Sequence, residues 1–424
     1  MAEQDPTESD FQEVDTPAVE PELNPPETFA HALMEIAAEQ HVSDLFISDQ
    51  PDATVIRMRR MGRLREVRRL PLPYGRRLLN HFRALAGIDI ADLSRPADGR
   101  ARFRLEDRRE LDVRFAVLPT VTGQDMAMRL FDHSRGLIGL DDIGFLEEER
   151  AMVERLLSAP SGLILVAGPA GCGKTNSLYA FLNHLNNGQR KIHTLEEPIE
   201  YLLPGINQSQ VNVRGGLDFA DLLYGCMRQS PDVIMVGEIR DRRTAETAIR
   251  AGTGGQLVLA TVHAQTAPTA VQNMLAFQVN RHFLADALVG VLNQRLVRQL
   301  CTACRRLGAM PQGAQEDQTY YDAVGCDACK EEGYERMTCI PEILEINKPL
   351  TQAIVRGVSA DELSDIAAQE GLLSMARGAM ARITSGVVTP EDAAYVISDP
   401  QVRAIATYAM DARRQDDADS AEVA

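Results

Sequence analysis

LILVAGPAGCGKTNSLYAFLNHL, residues 163–185, reads in one pass as an apolar strand, a glycine-rich turn and a helix. Its centre, Gly168-Pro169-Ala170-Gly171-Cys172-Gly173-Lys174-Thr175, matches the phosphate-loop pattern GxxxxGK[ST] in the strand-then-helix context that the pattern requires. Glycines let the backbone curl until its N–H groups converge on phosphate oxygens, and the helix N-terminus adds a favourable dipole. Lys174 then reaches the terminal phosphates and Thr175 ligates magnesium. Cys172 stands where the pattern accepts any residue; it reads as a tolerated small side chain that could also make the site sensitive to thiol reagents. A guanine-specifying NKxD pattern is missing, since Asn347-Lys348-Pro349-Leu350 does not supply it, so the expected ligand is ATP with Mg2+.

Outward from this loop, from about Glu147, short apolar runs alternate with helical stretches. LILVAG, KIHTLEE, VIMVGE and LVLATVH are four candidate strands, the pattern of a parallel sheet covered on both faces and hence of an α/β domain. Ligands collect at the carboxyl ends of such strands. Three strand ends carry chemistry. Glu238 closes VIMVGE, 64 residues after Lys174, where it could hold a magnesium-bound water or polarise the attacking water. Thr194-Leu195-Glu196-Glu197-Pro198-Ile199-Glu200 brings carboxylates to the same side, with Glu196 the choice for a second functional acid and a rigid turn with exposed glutamates the alternative. His263 closes LVLATVH and could sense the γ-phosphate or relay nucleotide state to a neighbouring subunit.

The half before the loop differs. FAHALMEIAAEQ from about Thr28 reads as an amphipathic helix, followed by short alternating strands (DLFIS, TVIRMRR, RLREVRRL, RARFRLE, ELDVRFAVL, DMAMRLF) with a helix around Tyr74 to Leu85. This predicts a small α+β domain over 28–132, a glycine-bearing linker over 133–146, and an ATPase domain over 147–408. Of the net charge of -17, residues 1–27 carry nine negative charges and the stretch from Asp411 three, which leaves -5 for the rest. Both ends, 1–27 and 409–424, therefore read as disordered acidic tails, and the mildly acidic remainder argues against nonspecific nucleic-acid binding. No run reaches the length of a membrane span and the acidic start lacks the features of a signal peptide, so a cytoplasmic location is expected.

Four of the seven cysteines form two pairs, Cys301-x2-Cys304 and Cys326-x2-Cys329, separated by 21 residues. Four thiolates so spaced can surround a structural Zn2+ with no open position for catalysis. The module expected over 300–332 is a small zinc-binding insertion in the ATPase domain.

Together these elements resemble the secretion ATPase superfamily, most closely the type II secretion and type IV pilus assembly ATPases. TLEEPIEY (194–201) resembles the family's Asp box, GINQSQVN (205–212) follows it, MRQSPDVIMVGEIRD (227–241) resembles its Walker B block, GGQLVLATVHAQTA (254–267) its His box, and NQRLVRQLCTAC (293–304) leads into the metal module. The resemblance implies a PAS-like N-terminal domain, a RecA-like ATPase domain, and a homohexamer working at the inner face of the bacterial inner membrane through a platform protein, without a specific nucleic-acid partner. Membrane association would be peripheral, through those partners. It also implies arginines from the first domain on ATP: Arg100 and Arg114, in DGR and DVRFAVLPT, with Arg57 and Arg59 on another matching strand. The zinc module resembles that of the assembly ATPases and is generally missing from the retraction ATPases, which points to assembly or secretion; a conjugation-related or DNA-translocating ATPase is the alternative. Departures are Glu197, Ser230 and Met61, where the family commonly has Asp, and a chain with no separate domain expected before residue 28.

Overall fold

The computed structural model describes residues 25–132, 138–212, 215–308 and 319–423, with the side chains of the last helix as far as Arg414. The acidic stretch expected as an N-terminal tail lies, as far as residue 24, outside the described residues, as do 133–137 of the expected linker. The chain forms two compact units, Met1–Gly136 and Leu137–Ala424.

The first unit comprises α1 (Pro26–Glu39), β1 (Asp44–Asp49), β2 (Ala53–Arg60), β3 (Arg63–Pro71), α2 (Leu72–Leu85), β4 (Ala97–Arg104), β5 (Glu110–Thr120) and β6 (Gly123–Asp132). Its sheet, in the order β3-β2-β1-β6-β5-β4, is antiparallel throughout. Period-two alternation sends Val113, Phe115, Met126 and Met128 into a core shared with Phe29 and Leu33 of α1 and with Leu78 and Phe82 of α2. The intervening residues face away from that core. Arg100, Arg114 and Arg129 are direct neighbours across β4, β5 and β6 there. This is a PAS-like α+β domain.

The second unit is RecA-like. It runs α3 (Glu147–Leu157), β7 (Gly162–Ala167), α4 (Lys174–Leu185), β8 (Ile192–Glu196), β9 (Asn207–Gln210), α5 (Phe219–Met227), β10 (Val233–Val236), α6 (Arg242–Thr253), β11 (Leu257–Val262), α7 (Ala267–Ala276), α8 (Arg281–Ala287) and β12 (Leu288–Leu300). Then come β13 (Arg306–Leu307), β14 (Tyr321–Asp322), β15 (Tyr334–Glu345) and the helices α9 (Lys348–Arg356), α10 (Ala360–Gln369), α11 (Met375–Thr384), α12 (Pro390–Val396) and α13 (Pro400–Val423). The main sheet has the order β15-β12-β7-β11-β10-β8-β9. β15 runs antiparallel to β12 and the other pairs are parallel. Every residue of β7, β10 and β11 is buried, because helices cover both faces of this part of the sheet. The carboxyl ends of β7, β10 and β11 are therefore where polar chemistry must sit.

Two boundaries differ from the sequence reading. Leu140 and Ile143, in the stretch expected as linker, are buried in the same core as Leu156 and Tyr179. Likewise α13 continues past residue 408, where a disordered tail was expected: Val402, Ile405 and Ala409 pack on Ile340 and Ile383, and Arg413 pairs with Asp322 and Glu391. An apolar face at helical spacing outweighs the acidic composition of that segment.

Candidate nucleotide and metal sites

The phosphate loop joins β7 to α4. Gly168, Gly171 and Gly173 have φ of 141°, 75° and 86°, left-handed values that glycine adopts without a Cβ penalty. Space adds to the demand at Gly168, where a Cβ would lie 2.5 Å from Cys172 Sγ and 2.7 Å from the Gln294 carbonyl oxygen. Gly173 caps α4, so the first amides of the helix open onto the loop. Lys174 Nζ donates to the carbonyls of Gly168 and Pro169 at 2.8 and 2.9 Å. Burial pushes its ammonium pKa down, and Arg295 adds to that, while the Glu238 charge pulls it back up. Thr175 follows on the first turn, with Pro169 and Ala170 at the apex of the loop. Cys172 is buried and its thiol is pushed up by that burial, which favours the inert reading of this residue over the reactive one.

Glu238 emerges two residues beyond β10 and His263 one residue beyond β11, on adjacent parallel strands. The adjacent strand ends bring them together, with His263 Nε2 3.0 Å from Glu238 Oε1. The other carboxylate oxygen is held by Arg240, whose Nη2 lies 2.6 Å from Glu238 Oε2 and whose Nη1 donates to Glu197 at 2.7 Å. Glu238 and His263 thus lie at the end of the sheet from which the phosphate loop leaves β7 and leads to Lys174 at the start of α4. Arg240 and Glu197 join them without having been selected from the sequence.

Glu196 is brought to the same edge but not to this cluster. It is 3% exposed and accepts hydrogen bonds from Tyr179, Thr194 and Gln208, the last at 3.0 Å. Burial and then the Glu196 charge raise the Tyr179 phenol far above its ordinary pKa, so it stays a donor. With three donors and no exposed oxygen, Glu196 has the surroundings of a structural carboxylate that ties β8 to α4. The neighbouring Glu197, turned the other way, is the acid linked to Glu238.

Arg100 and Arg114 belong to the first unit, facing each other across the β4–β5 ladder. Arg100 is exposed, whereas the Arg114 guanidinium lies over the Phe131 ring, 4.4 Å from its centroid. Arg57 and Arg59 lie on β2, with Arg59 over Phe46 at 5.2 Å and Arg57 3.7 Å from Glu66.

The cysteine pairs converge. The sulfurs of Cys301, Cys304, Cys326 and Cys329 all lie within 4.8 Å of one another, and three of the separations are 3.9, 3.8 and 3.8 Å. A tetrahedron of Zn–S bonds near 2.3 Å puts its sulfurs roughly 3.8 Å apart, so the donor set fits that ion. Amide groups complete the shell, with the N–H groups of Gly333 and Cys326 donating to Cys329 Sγ at 3.1 and 3.3 Å. Cys301 follows the last residue of β12, which anchors the module to the main sheet.

The family model described as "Type II/IV secretion system protein" matches residues 20–397. Type II secretion system protein HxcR of Pseudomonas aeruginosa is 38% identical over 369 residues, which span 87% of this chain and 76% of that protein. The type IV pilus assembly ATPase PilB of the same organism is 35% identical over 381 residues, or 88% of this chain and 67% of that protein. Among solved structures, the Legionella pneumophila ATPase DotB superposes with a TM-score of 0.67 at 18% identity, covering 88% of this chain and 95% of DotB. The pilus retraction motor PilT with bound ADP gives 0.60 at 23% identity, covering 87% and 97%. The two structures share the fold. No helix among the described residues is long and apolar enough to cross a membrane.

Proposed function

The chain belongs to the type II/IV secretion system family, and we propose that it is the ATP-hydrolysing motor that builds a type IV pilus or a type II secretion pseudopilus. The observation that carries the reading is the placement of the Glu238–His263 pair, 3.0 Å apart, at the same carboxyl end of the sheet as the phosphate loop that follows β7. Those groups are what phosphoryl transfer needs: amides and Lys174 around the phosphates, Thr175 for magnesium, and a carboxylate to orient water. Magnesium, when bound, neutralises charge on the phosphate oxygens. Glu238 orients and polarises the attacking water, and its carboxylate is itself fixed by Arg240 on one oxygen and His263 on the other. His263, 57% exposed, is free to exchange that bond for one to the terminal phosphate.

Six copies form a ring in this reading, with Arg100 and Arg114 of the first unit contacting ATP. Arginine suits the task because its planar fork bridges phosphate oxygens. Closure around nucleotide and release after hydrolysis would drive an inner-membrane platform protein from the cytoplasmic side. Zn2+ on the four cysteines serves structure, since no coordination position is left open. Its module supports filament assembly over retraction.

The test is turnover and filament assembly in parallel. Lys174→Ala and Glu238→Gln should each lower turnover by at least about 10²-fold and stop filament assembly, with a folded protein. Retention of hydrolysis in either variant would overturn the reading, and strong salt-dependent stimulation of hydrolysis by DNA would replace it with a DNA-translocating motor.

A further inference from the structure

Asn293, Gln294 and Arg295, consecutive on β12, are all buried, at 0%, 0% and 8% exposed. A strand that merely filled the core would be apolar there, as β7, β10 and β11 are, because a buried amide or guanidinium costs free energy unless its hydrogen bonds are made. Here they are made, and to functionally distinct partners. Gln294 is directed at the phosphate loop. Its Nε2 donates to the Cys172 carbonyl at 2.8 Å and its Oε1 accepts from Ser177 on α4 at 2.9 Å, so one side chain joins the loop to the helix that follows it. The fit is close: a Cβ on Gly173 would lie 3.4 Å from Gln294 Nε2.

Successive side chains of a strand point to opposite faces, and the two flanking residues reach elsewhere. Asn293 Nδ2 donates to the Gln265 carbonyl at 2.6 Å, and Arg295 Nη2 donates to the same carbonyl and to Gln265 Oε1, both at 2.9 Å. Gln265 lies two residues beyond His263. Arg295 Nη1 closes the arrangement on the strand itself, through the Gln294 carbonyl at 3.0 Å and Asn293 Oδ1 at 3.2 Å. All of the Arg295 bonds go to neutral oxygens.

We propose that Asn293-Gln294-Arg295 is a positioning element that holds the phosphate loop and the His263 loop in one fixed relation, Gln294 gripping the first and Asn293 with Arg295 the second. The proposal rests on the ATPase reading of the site. In that setting the two loops carry groups that act at different stages. On that reading the phosphate-loop amides would hold the phosphates that ATP and ADP share, whereas the loop with His263 would meet only the terminal phosphate. The two halves of the tripeptide therefore affect different kinetic constants.

The experiment uses the purified full-length protein, measuring ATP turnover, Mg-ADP binding and thermal midpoint. Gln294→Met removes both bonds at similar volume and should weaken Mg-ADP and raise KM for ATP by roughly tenfold, with a smaller change in kcat, as expected for one or two lost buried hydrogen bonds. Arg295→Lys keeps the charge but loses the fork, and should lower kcat by roughly tenfold while Mg-ADP affinity stays within about threefold. Opposite splits in the two variants support the proposal. Parallel loss of kcat and affinity tracking the thermal midpoint, or kinetics within about twofold of the parent for both, overturns it. Should either variant fail to fold, Ser177→Ala and Gln265→Ala remove one bond each from outside the strand; the same split in smaller form supports the proposal and its absence overturns it. Failure of the parent protein to hydrolyse ATP would instead refute the ATPase reading, with Lys174→Ala as the control that separates the cases.

Discussion

Glu238→Gln is the most discriminating single change. The substitution keeps the volume and one oxygen acceptor but removes the charge. In the native arrangement Oε1 faces His263 Nε2 at 3.0 Å and Oε2 faces Arg240 Nη2 at 2.6 Å. An amide can satisfy one of these neighbours but cannot accept from both through two equivalent oxygens. Its effect on the phosphate loop should be small, because the carboxylate touches that loop only through space, as one of the charges acting on Lys174. The carbonyls holding Lys174 belong to Gly168 and Pro169 and are unchanged. Removing an oriented charged group that acts on the transferring phosphoryl or its water costs roughly 10²- to 10³-fold in kcat, about 3–4 kcal/mol of barrier. Nucleotide affinity should stay within about threefold, since uniform binding is untouched. Phosphate release under saturating Mg-ATP, together with fluorescent-nucleotide binding, measures both quantities on one preparation. Turnover within about tenfold of the parent would refute the catalytic assignment of Glu238. A loss of binding as large as the loss of turnover would assign it to architecture instead.

Three further outcomes are expected. Purified protein should carry one zinc per chain by elemental analysis, and Cys326→Ser should abolish that stoichiometry, since its sulfur lies 3.9 and 3.8 Å from Cys301 and Cys329 and three thiolates leave the tetrahedron open. Arg382→Met should destabilise the second unit by about 3–5 kcal/mol in chemical denaturation, because it strands Glu149, its bidentate partner at 2.9 and 2.6 Å, in an environment where both side chains are almost fully buried; a loss below about 1 kcal/mol would mean that water reaches the pair. Burial raises the pKa of Glu342, against the opposing hydrogen bond from the Ala267 amide and the Arg295 charge. The folded protein therefore holds this proton at higher pH than the unfolded chain, and the group's contribution to stability falls as pH rises from the ordinary carboxylate value through the raised one. Glu342→Gln, whose amide oxygen can still accept from Ala267, should flatten that part of the stability profile; an unchanged slope would refute the assignment.

The parts legible in the sequence are those whose residues lie together along the chain and whose chemistry constrains neighbours in a row. Gly168 to Thr175 is such a stretch, and so are the three wholly buried strands β7, β10 and β11 and the two cysteine pairs. The site residues not selected are those supplied across the sheet. Arg240 lies just beyond a recognised strand tip, but only the fold brings its guanidinium between Glu238 and Glu197. Between Glu196 and Glu197 the sequence offers two adjacent carboxylates and no means to weigh them. Parity does not separate them either, because Leu195 on the opposite face of β8 is as buried as Thr194 and Glu196; only the fold shows that Tyr179, Thr194 and Gln208 enclose Glu196. The C-terminal segment illustrates a different error, composition outweighing periodicity. Its acidic residues suggested a tail, yet Val402, Ile405 and Ala409 recur at helical spacing and pack.

β12 shows why the linkage between loops escaped a reading by pattern. Its sequence LVGVLNQRLVRQL has an apolar beginning, but Asn293, Gln294 and Arg295 interrupt the run where a buried strand is expected to be most apolar. The interruption coincides with the point where β12 runs beside the end of β7, Asn293 being the register partner of Ala167, the residue before the phosphate loop. A polar triplet is costly at a sheet centre and has its bonds available only beside two loops with exposed backbone carbonyls. The same three residues that obscure the strand therefore locate it: they can be buried only where Cys172 and Gln265 supply acceptors, between the loop that grips phosphate and the loop that carries His263.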